Sequence, residues 1–305
     1  IRHGRPYESL ETADLTDART GARLAGVDQA NPGLVKRDLA RWPDVEPPAR
    51  AEMEAVLSRA AEALLDETDP ENLAMAEGIA GTTGLTRAQV DAQIARLAAA
   101  LRALGAHGPE DGAARAPMAF VLPSNAPGVH ASWLTALALG HPVALKPGAR
   151  EPWTPSRLAE ILWEAGLPEA MIGIYPGDHG TSQALIEAAP FCVLFGDEVT
   201  VQRYANVPHI DVRGPGRSKS ILTRAAAEDA SLVRALADAV SEFGGRSCLN
   251  TSSIGIIDGT AADAERLSSR LGDHLSATGT DTLAAWPRRE EAEGISKWID
   301  KQGQP

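Results

Sequence analysis

Cysteine is nearly absent from this sequence: Cys192 and Cys248 are the only two in 305 residues. Two cysteines cannot build a disulfide framework or a Cys-rich zinc site. They suit a reducing compartment, and the expected location is cytoplasmic. The seven histidines are scattered with no pair at metal-ligand spacing, so no metal centre is expected. No apolar run approaches the roughly 20 residues of a membrane span, so no membrane partner is expected. Basic residues are outnumbered, 29 Lys and Arg against 41 Asp and Glu, for a net charge of −12. Phosphate-backbone binding needs clustered Lys and Arg, and the absence of a basic stripe argues against a nucleic-acid partner. There is no internal repeat and no low-complexity tract. An initiating Met is missing too. The chain opens on Ile1-Arg2-His3 and closes on a polar stretch from Trp298 to Pro305. Both ends read as cuts, so the chain is expected to be less than a whole gene product.

What is present fits a soluble globular protein of one large or two smaller domains, with 44% hydrophobic and 23% charged residues. Residues 1–47 are short apolar pieces among turn formers and read as short strands or extended arms. Residues 48–104 read as helical. One run covers Ala51–Leu65, and a second starts after Thr86 and closes at Gly105. Residues 107–114 read as a surface loop. From Pro117 onward, apolar runs alternate with amphipathic helical runs. The expected strands are Met118–Leu122, Val143–Leu145, Met171–Tyr175, Phe191–Phe195, His209–Val212, Ser220–Leu222 and Ile254–Ile257. The clearest expected helices are Pro155–Ala165, Ser182–Ala188, Glu228–Phe243 and Ala261–Leu271. After Leu275 the rhythm is lost. Such alternation predicts an α/β fold with a doubly wound, mostly parallel, Rossmann-like sheet. The expected domains are 1–222, with an N-terminal arm, a helical segment and a nucleotide-binding domain, and 223–305, the start of a second α/β domain.

In sheets of this kind ligands bind at the carboxyl ends of the strands. Those ends carry Pro123-Ser124-Asn125-Ala126-Pro127, Lys146-Pro147-Gly148, Pro176-Gly177, Gly196-Asp197 and Gly214-Pro215-Gly216. Gly244-Gly245-Arg246-Ser247-Cys248 follows a helix.

These segments, in this order, resemble the aldehyde dehydrogenase superfamily. Pro123-Ser124-Asn125-Ala126-Pro127 is similar to the family's Pro-Trp-Asn-x-Pro loop, whose Asn helps form an oxyanion hole. Gly140 to Pro147 is similar to Gly-Asn-x-Val-x-x-Lys-Pro, which gives Lys146 a contact with the nucleotide ribose. Ala165-Gly166-Leu167-Pro168 followed by Tyr175-Pro176-Gly177 is similar to the family's helix-to-strand step. Phe195-Gly196-Asp197 falls where Phe-Thr-Gly-Ser opens the helix facing the pyrophosphate, one residue shorter. Gly245-Arg246-Ser247-Cys248 is similar to Gly-Gln-x-Cys, which holds the nucleophile. The resemblance covers roughly residues 20–260. It implies catalytic roles for Cys248 and Asn125, and cofactor contacts from Lys146, Pro147, Gly148, Gly177, Gly196, Asp197 and Gly214. A Cys248 thiolate would attack an aldehyde carbonyl. The oxyanion would be held by the Asn125 amide and the Cys248 backbone N–H. Hydride would pass to NAD or NADP.

Departures from the family pattern refine the expectation. Hydrolytic members carry a Glu upstream of the Cys that activates water; the aligned residue here is Arg213. Without that base, thioester hydrolysis should be slow. This favours passing the acyl group to or from a thiol such as coenzyme A, as in CoA-acylating dehydrogenases and acyl-CoA reductases. The expected partner is then a small-molecule aldehyde or acyl-CoA, and a homo-oligomer is compatible with the sequence. Ala149 followed by Arg150 replaces a Glu that binds adenosine hydroxyls, which leaves room and a cation for the 2′-phosphate of NADP. Family members also continue well beyond the Cys, whereas this chain ends at Pro305.

Plainer roles stay open for each residue. Cys248 would also serve as a small buried side chain. Cys192, in mid-strand, reads as core. Asn125 would also serve as the cap of a helix starting at Pro127. Lys146 would also be an ordinary strand-end lysine, and Gly177 and Gly196 plain turn glycines. The leading expectation is an NAD(P)-dependent oxidoreductase acting on an aldehyde or acyl thioester. The alternative is a non-catalytic nucleotide-binding or scaffold member of the same fold.

Overall fold

The computed structural model describes residues 1–109, 115–277 and 289–302. They form two compact units, Ile1–Gly214 and Pro215–Pro305.

In the first unit, β1 (Thr12–Thr16) and β2 (Arg23–Asp28) form an antiparallel ribbon. The next segment, expected to be extended, is instead a helix, α1 (Pro32–Ala40). Its start was written locally. The Asn31 side chain accepts the Leu34 N–H at 2.8 Å, and Pro32 supplies a fixed φ in the first turn. The two expected helices are α2 (Arg50–Leu64) and α4 (Arg87–Gly105). Thr86 and Gln89 close a reciprocal capping box at the start of α4. Between them lies α3 (Pro70–Thr83), inside the segment expected to be helical, though its own start was not singled out. Asp69 caps its start, and Gly84, at φ 75°, ends it in the left-handed region. The loop expected over 107–114 lies outside the described residues from 110 on.

A five-stranded parallel sheet follows. It comprises β3 (Met118–Val121), β4 (Val143–Lys146), β5 (Ile172–Ile174), β6 (Phe191–Phe195) and β7 (Ile210–Arg213), in the order β5-β4-β3-β6-β7. The connections are a 3-10 turn (Pro127–His130) leading into α5 (Ala131–Ala138), then α6 (Trp153–Glu164), α7 (His179–Ala188) and α8 (Glu198–Tyr204). Winding runs outward from β3 to β5, then returns to β6 on the other side of β3. The topological switch point therefore lies between β3 and β6. Strands β3, β4 and β5 are apolar along almost their whole length, as both faces of such a sheet are covered. On one face, Ala119, Val121, Ala144, Cys192 and Leu194 pack with Val35 of α1 and Leu185 of α7.

The second unit begins earlier than the expected boundary after residue 222. Strand β8 (Ser218–Thr223) does not extend the five-stranded sheet. It pairs in parallel with β9 (Thr251–Ile257). Pairing is a tertiary choice, and the apolar run at 220–222 carries no mark of its partner. The helix expected over 228–243 forms, and a short helix precedes it. α9 (Arg224–Glu228) ends at Asp229, whose carboxylate caps α10 (Ala230–Ser241) by accepting the Ser231 and Leu232 N–H groups. α11 (Ala261–Ala277) packs Leu267 against Val233 and Leu236 of α10. Beyond Leu275, where the strand–helix rhythm was expected to be lost, Arg289–Gln302 is a helix.

Candidate functional site

Parallel registers bring the sequence-selected residues of the first unit to one edge of the sheet. Val121 stands opposite Lys146 on one side and Leu194 on the other; Leu145 stands opposite Ile174, and Phe195 opposite Arg213. The segments that leave these strand ends are Pro123–Asn125, Lys146–Gly148, Pro176–Gly177, Gly196–Asp197 and Gly214. All start at the carboxyl edge, and β3 and β6 flank the switch point.

The β3 and β4 ends are tightly joined. Leu122 N–H donates to the Lys146 carbonyl at 2.9 Å, and Arg150 N–H donates to Ser124 Oγ at 3.0 Å. Gly148 lies so close to Pro123 that a Cβ would sit 2.5 Å from the Pro123 carbonyl carbon. This glycine is required by backbone approach. Lys146 is half-buried at its strand end. Burial holds its ammonium below the ordinary lysine range, and the Asp178 carboxylate partly offsets this. Asn125 is half-buried and is not a helix cap: the turn at Pro127 has Ala126 at its N-cap and no side-chain cap.

The β5 and β6 ends share one local device that sequence inspection overlooked, Gly-Asp-x-x-Thr. At β5 it is Gly177-Asp178 with Thr181; at β6 it is Gly196-Asp197 with Thr200. Asp178 Oδ1 accepts Thr181 N–H at 3.1 Å, and Asp197 Oδ1 accepts Thr200 N–H at 2.9 Å. A Cβ on either glycine would collide with the threonine side chain. Both glycines are thus explained by turn packing. Asp197 also accepts the Thr200 hydroxyl at 2.7 Å, and these bonds hold its carboxyl below the ordinary range. Gly214 faces Val201 of α8. Arg213, at the family's Glu position, is exposed and pairs along its own strand with Asp211 at 2.8 Å.

A cavity of about 420 Å³ lies beside the edge strand β5, lined by residues such as Tyr7, Val27, Met75, Trp153 and Pro176. It does not overlie the β3–β6 switch point. Among the described residues no His, Cys, Asp or Glu cluster could hold a metal ion, and no helix is long and apolar enough to cross a membrane.

In the second unit, Cys248 is an exposed free thiol on a built turn. Phe243, Gly244 and Gly245 all have positive φ, 55°, 66° and 73°, which reverses the chain after α10. Asn250 then fixes the turn. Its Oδ1 accepts Ser247 N–H at 2.7 Å, and its Nδ2 donates to the carbonyls of Ala239 and Glu242 at 3.1 and 3.0 Å. The Cys248 carbonyl accepts the Ser218 hydroxyl at 3.4 Å, and Gly216 packs so closely that a Cβ would overlap that carbonyl. Cys192, by contrast, is buried in β6, and burial pushes its thiol up to about 12.

Known proteins resemble this chain in sequence or in fold. A betaine aldehyde dehydrogenase from Rhizobium leguminosarum is 28% identical over 196 residues, 58% of this chain and 39% of that protein. A malonate-semialdehyde dehydrogenase from Halalkalibacterium halodurans is 39% identical over 83 residues, 26% of this chain and 17% of that protein. The chain thus spans well under half the length of these relatives. An indole-3-acetaldehyde dehydrogenase solved with NAD+ superposes with a TM-score of 0.80 at 20% identity, covering 99% of this chain and 69% of that one. A benzaldehyde dehydrogenase from Corynebacterium glutamicum, described as NAD-dependent, gives 0.80 at 17% identity, covering 99% and 74%. Both likenesses establish the fold. The model of the aldehyde dehydrogenase family matches residues 22–278, most of the chain, and this chain therefore belongs to that family.

Proposed function

We propose that the chain is part of an NAD(P)-dependent oxidoreductase acting on an aldehyde or acyl thioester, with Cys248 as nucleophile. The observation that carries this reading is the contrast between the two thiols. Cys248 is exposed on a turn that glycines and Asn250 hold in place, whereas Cys192 is sealed in the sheet. A thiolate on that turn attacks the carbonyl carbon. On the family's pattern the Asn125 side-chain amide donates to the resulting oxyanion. The nicotinamide, when bound, supplies the hydride chemistry.

A dinucleotide fits one part of the strand-end crevice better than another. At the β4 end, the half-buried Lys146 ammonium offers donors to ribose hydroxyls. At the β6 end, the Asp197 carboxylate already accepts the amide of Thr200, and Glu198 adds a second negative charge in the first turn of α8. A pyrophosphate is therefore met by repulsion there, and Asp197 is assigned to capping. Arg150 beside the exposed Ala149 supports NADP over NAD.

Arg213 supports acyl transfer to a thiol such as coenzyme A over hydrolysis, because a guanidinium paired with Asp211 cannot act as a base. The same pair supports a second reading, a non-catalytic nucleotide-binding or scaffold member.

Thiol labelling near pH 8 tests the first reading against the second. Exposure alone makes Cys248 react faster than the buried Cys192, so the deciding readouts are a rate well above that of a free thiol and protection by NADP, both expected of a catalytic Cys248. Labelling of Cys248 at an ordinary free-thiol rate, unchanged by NADP, favours the non-catalytic reading. Aldehyde-dependent NAD(P) reduction, run with and without coenzyme A, then tests acyl transfer. Full turnover without the thiol would overturn the role given to Arg213.

A further inference from the structure

His130 and Glu151 have no part in the proposed chemistry, yet they form a buried ionisable pair between the loops that carry Asn125 and Lys146. Both side chains are 0% exposed, and His130 Nε2 lies 2.6 Å from Glu151 Oε2. His130 ends the 3-10 turn that follows the Asn125 loop, and Glu151 ends the loop that follows Lys146. The Trp133 indole N–H donates to His130 Nδ1 at 2.9 Å. An indole only donates, so Nδ1 accepts and the ring's single proton sits on Nε2, directed at the carboxylate. The other carboxylate oxygen, Oε1, accepts Thr154 N–H at 2.9 Å in the first turn of α6. The helix dipole favours a negative charge at that position.

Two other ties join the same loops, the Gly148 approach to Pro123 and the Arg150–Ser124 hydrogen bond. Those ties join residues close in sequence to the strand ends, whereas the His130–Glu151 contact joins the loops farther along the chain, where each leads into its helix. A buried ionisable pair contributes little stability beyond what an apolar pair of like volume would give. Its distinguishing property is direction: one proton, one acceptor oxygen and one ring orientation set a single separation between two backbone segments.

We propose that His130 and Glu151 are positioning residues that clamp the Asn125 loop to the Lys146 loop, holding the β3–β4 side of the strand-end crevice in one fixed position. This rests on the reading that the crevice binds a dinucleotide. The pair touches neither substrate nor cofactor and acts through the loops it joins.

The test uses the full chain with His130→Leu, His130→Gln and Glu151→Gln, at a temperature where circular dichroism shows each variant folded. Glutamine at 130 can donate to Glu151 and accept from Trp133; leucine can do neither. Titration calorimetry reads NAD and NADP affinity. Hydrogen–deuterium exchange reads residues 123–130 and 146–151 against the strands β3 to β6. The expected result is an affinity loss of about tenfold for His130→Leu, the equivalent of one lost buried hydrogen bond. Exchange should quicken in both loops while the strands stay protected, and His130→Gln should remain near native. A lowered thermal midpoint with unchanged affinity and unchanged loop exchange overturns the proposal, because the pair then only stabilises. If the native chain binds neither nucleotide, the dinucleotide reading falls separately. Loop exchange then decides the clamp alone: quickening in both loops upholds it, and no change refutes it. If His130→Leu does not fold, Glu151→Gln is judged by the same criteria.

Discussion

At the scale of single residues, chemistry follows surroundings more than residue type. Asp197 shows this most clearly. As a Gly-Asp step at a strand end it reads as a cofactor contact, but the carboxylate is committed to Thr200, and on the proposed reading it stands where a phosphate would need positive charge. Serine is as good a cap and carries no charge. Asp197→Ser should therefore leave the fold intact and raise NAD(P) affinity about two- to five-fold at low salt, the scale of one charge at a helix terminus. The gain should shrink as salt screens it. Calorimetric titration at two ionic strengths checks both effects, and weaker binding by the variant would show that Asp197 contacts the ligand favourably.

At the scale of elements, caps and turns determine where each helix starts. The Asp69 carboxylate accepts the Glu71 N–H at 2.8 Å and also receives the Arg157 guanidinium at 2.6 Å, linking α3 to α6. Asp69→Ala should cost about 2 kcal/mol in urea unfolding, from a lost cap and a weakened Arg157 site. In the second unit, Asp263 accepts the Thr260 N–H and hydroxyl, each at 2.8 Å, and pairs with Arg224, and these together hold its carboxyl down to about 2. A carboxyl lower in the folded than in the unfolded chain stabilises above its unfolded value, and that stabilisation is lost as pH falls through the folded value. Unfolding midpoints should thus fall between about pH 4 and pH 2. Asp263→Asn should flatten that portion of the curve, and an unchanged pH profile would show that these bonds add no stability.

At the scale of the molecule, net charge acts on every ligand that approaches. A chain of net charge −12 repels a dinucleotide at long range, whatever the local site offers. The association rate of NADP should accordingly rise between about 20 and 200 mM salt, as the Debye length contracts from about 20 Å to about 7 Å. Stopped-flow mixing measures this, and a falling rate would point to a local positive field that dominates the approach.

Within this molecule the sequence by itself determined the alternation of buried strands and amphipathic helices, since parallel strands covered on both faces must be apolar along their length. It also placed the chemistry-bearing residues after those strands, because a right-handed crossover leaves each strand's carboxyl end free to carry a loop. Two starts, at Asn31-Pro32 and Asp69-Pro70, were written in the sequence and missed because the helices behind them are short or weakly amphipathic. Other features were not local at all. That β8 pairs with β9, that Gly148 meets Pro123, and that His130 meets Glu151 are contacts between segments that sequence spacing does not bring together. Only the tertiary structure decided them. The same holds for the two cysteines: short apolar context marked Cys192 as core, but Cys248 became an exposed thiol through a chain reversal and the long reach of Asn250 to the end of α10.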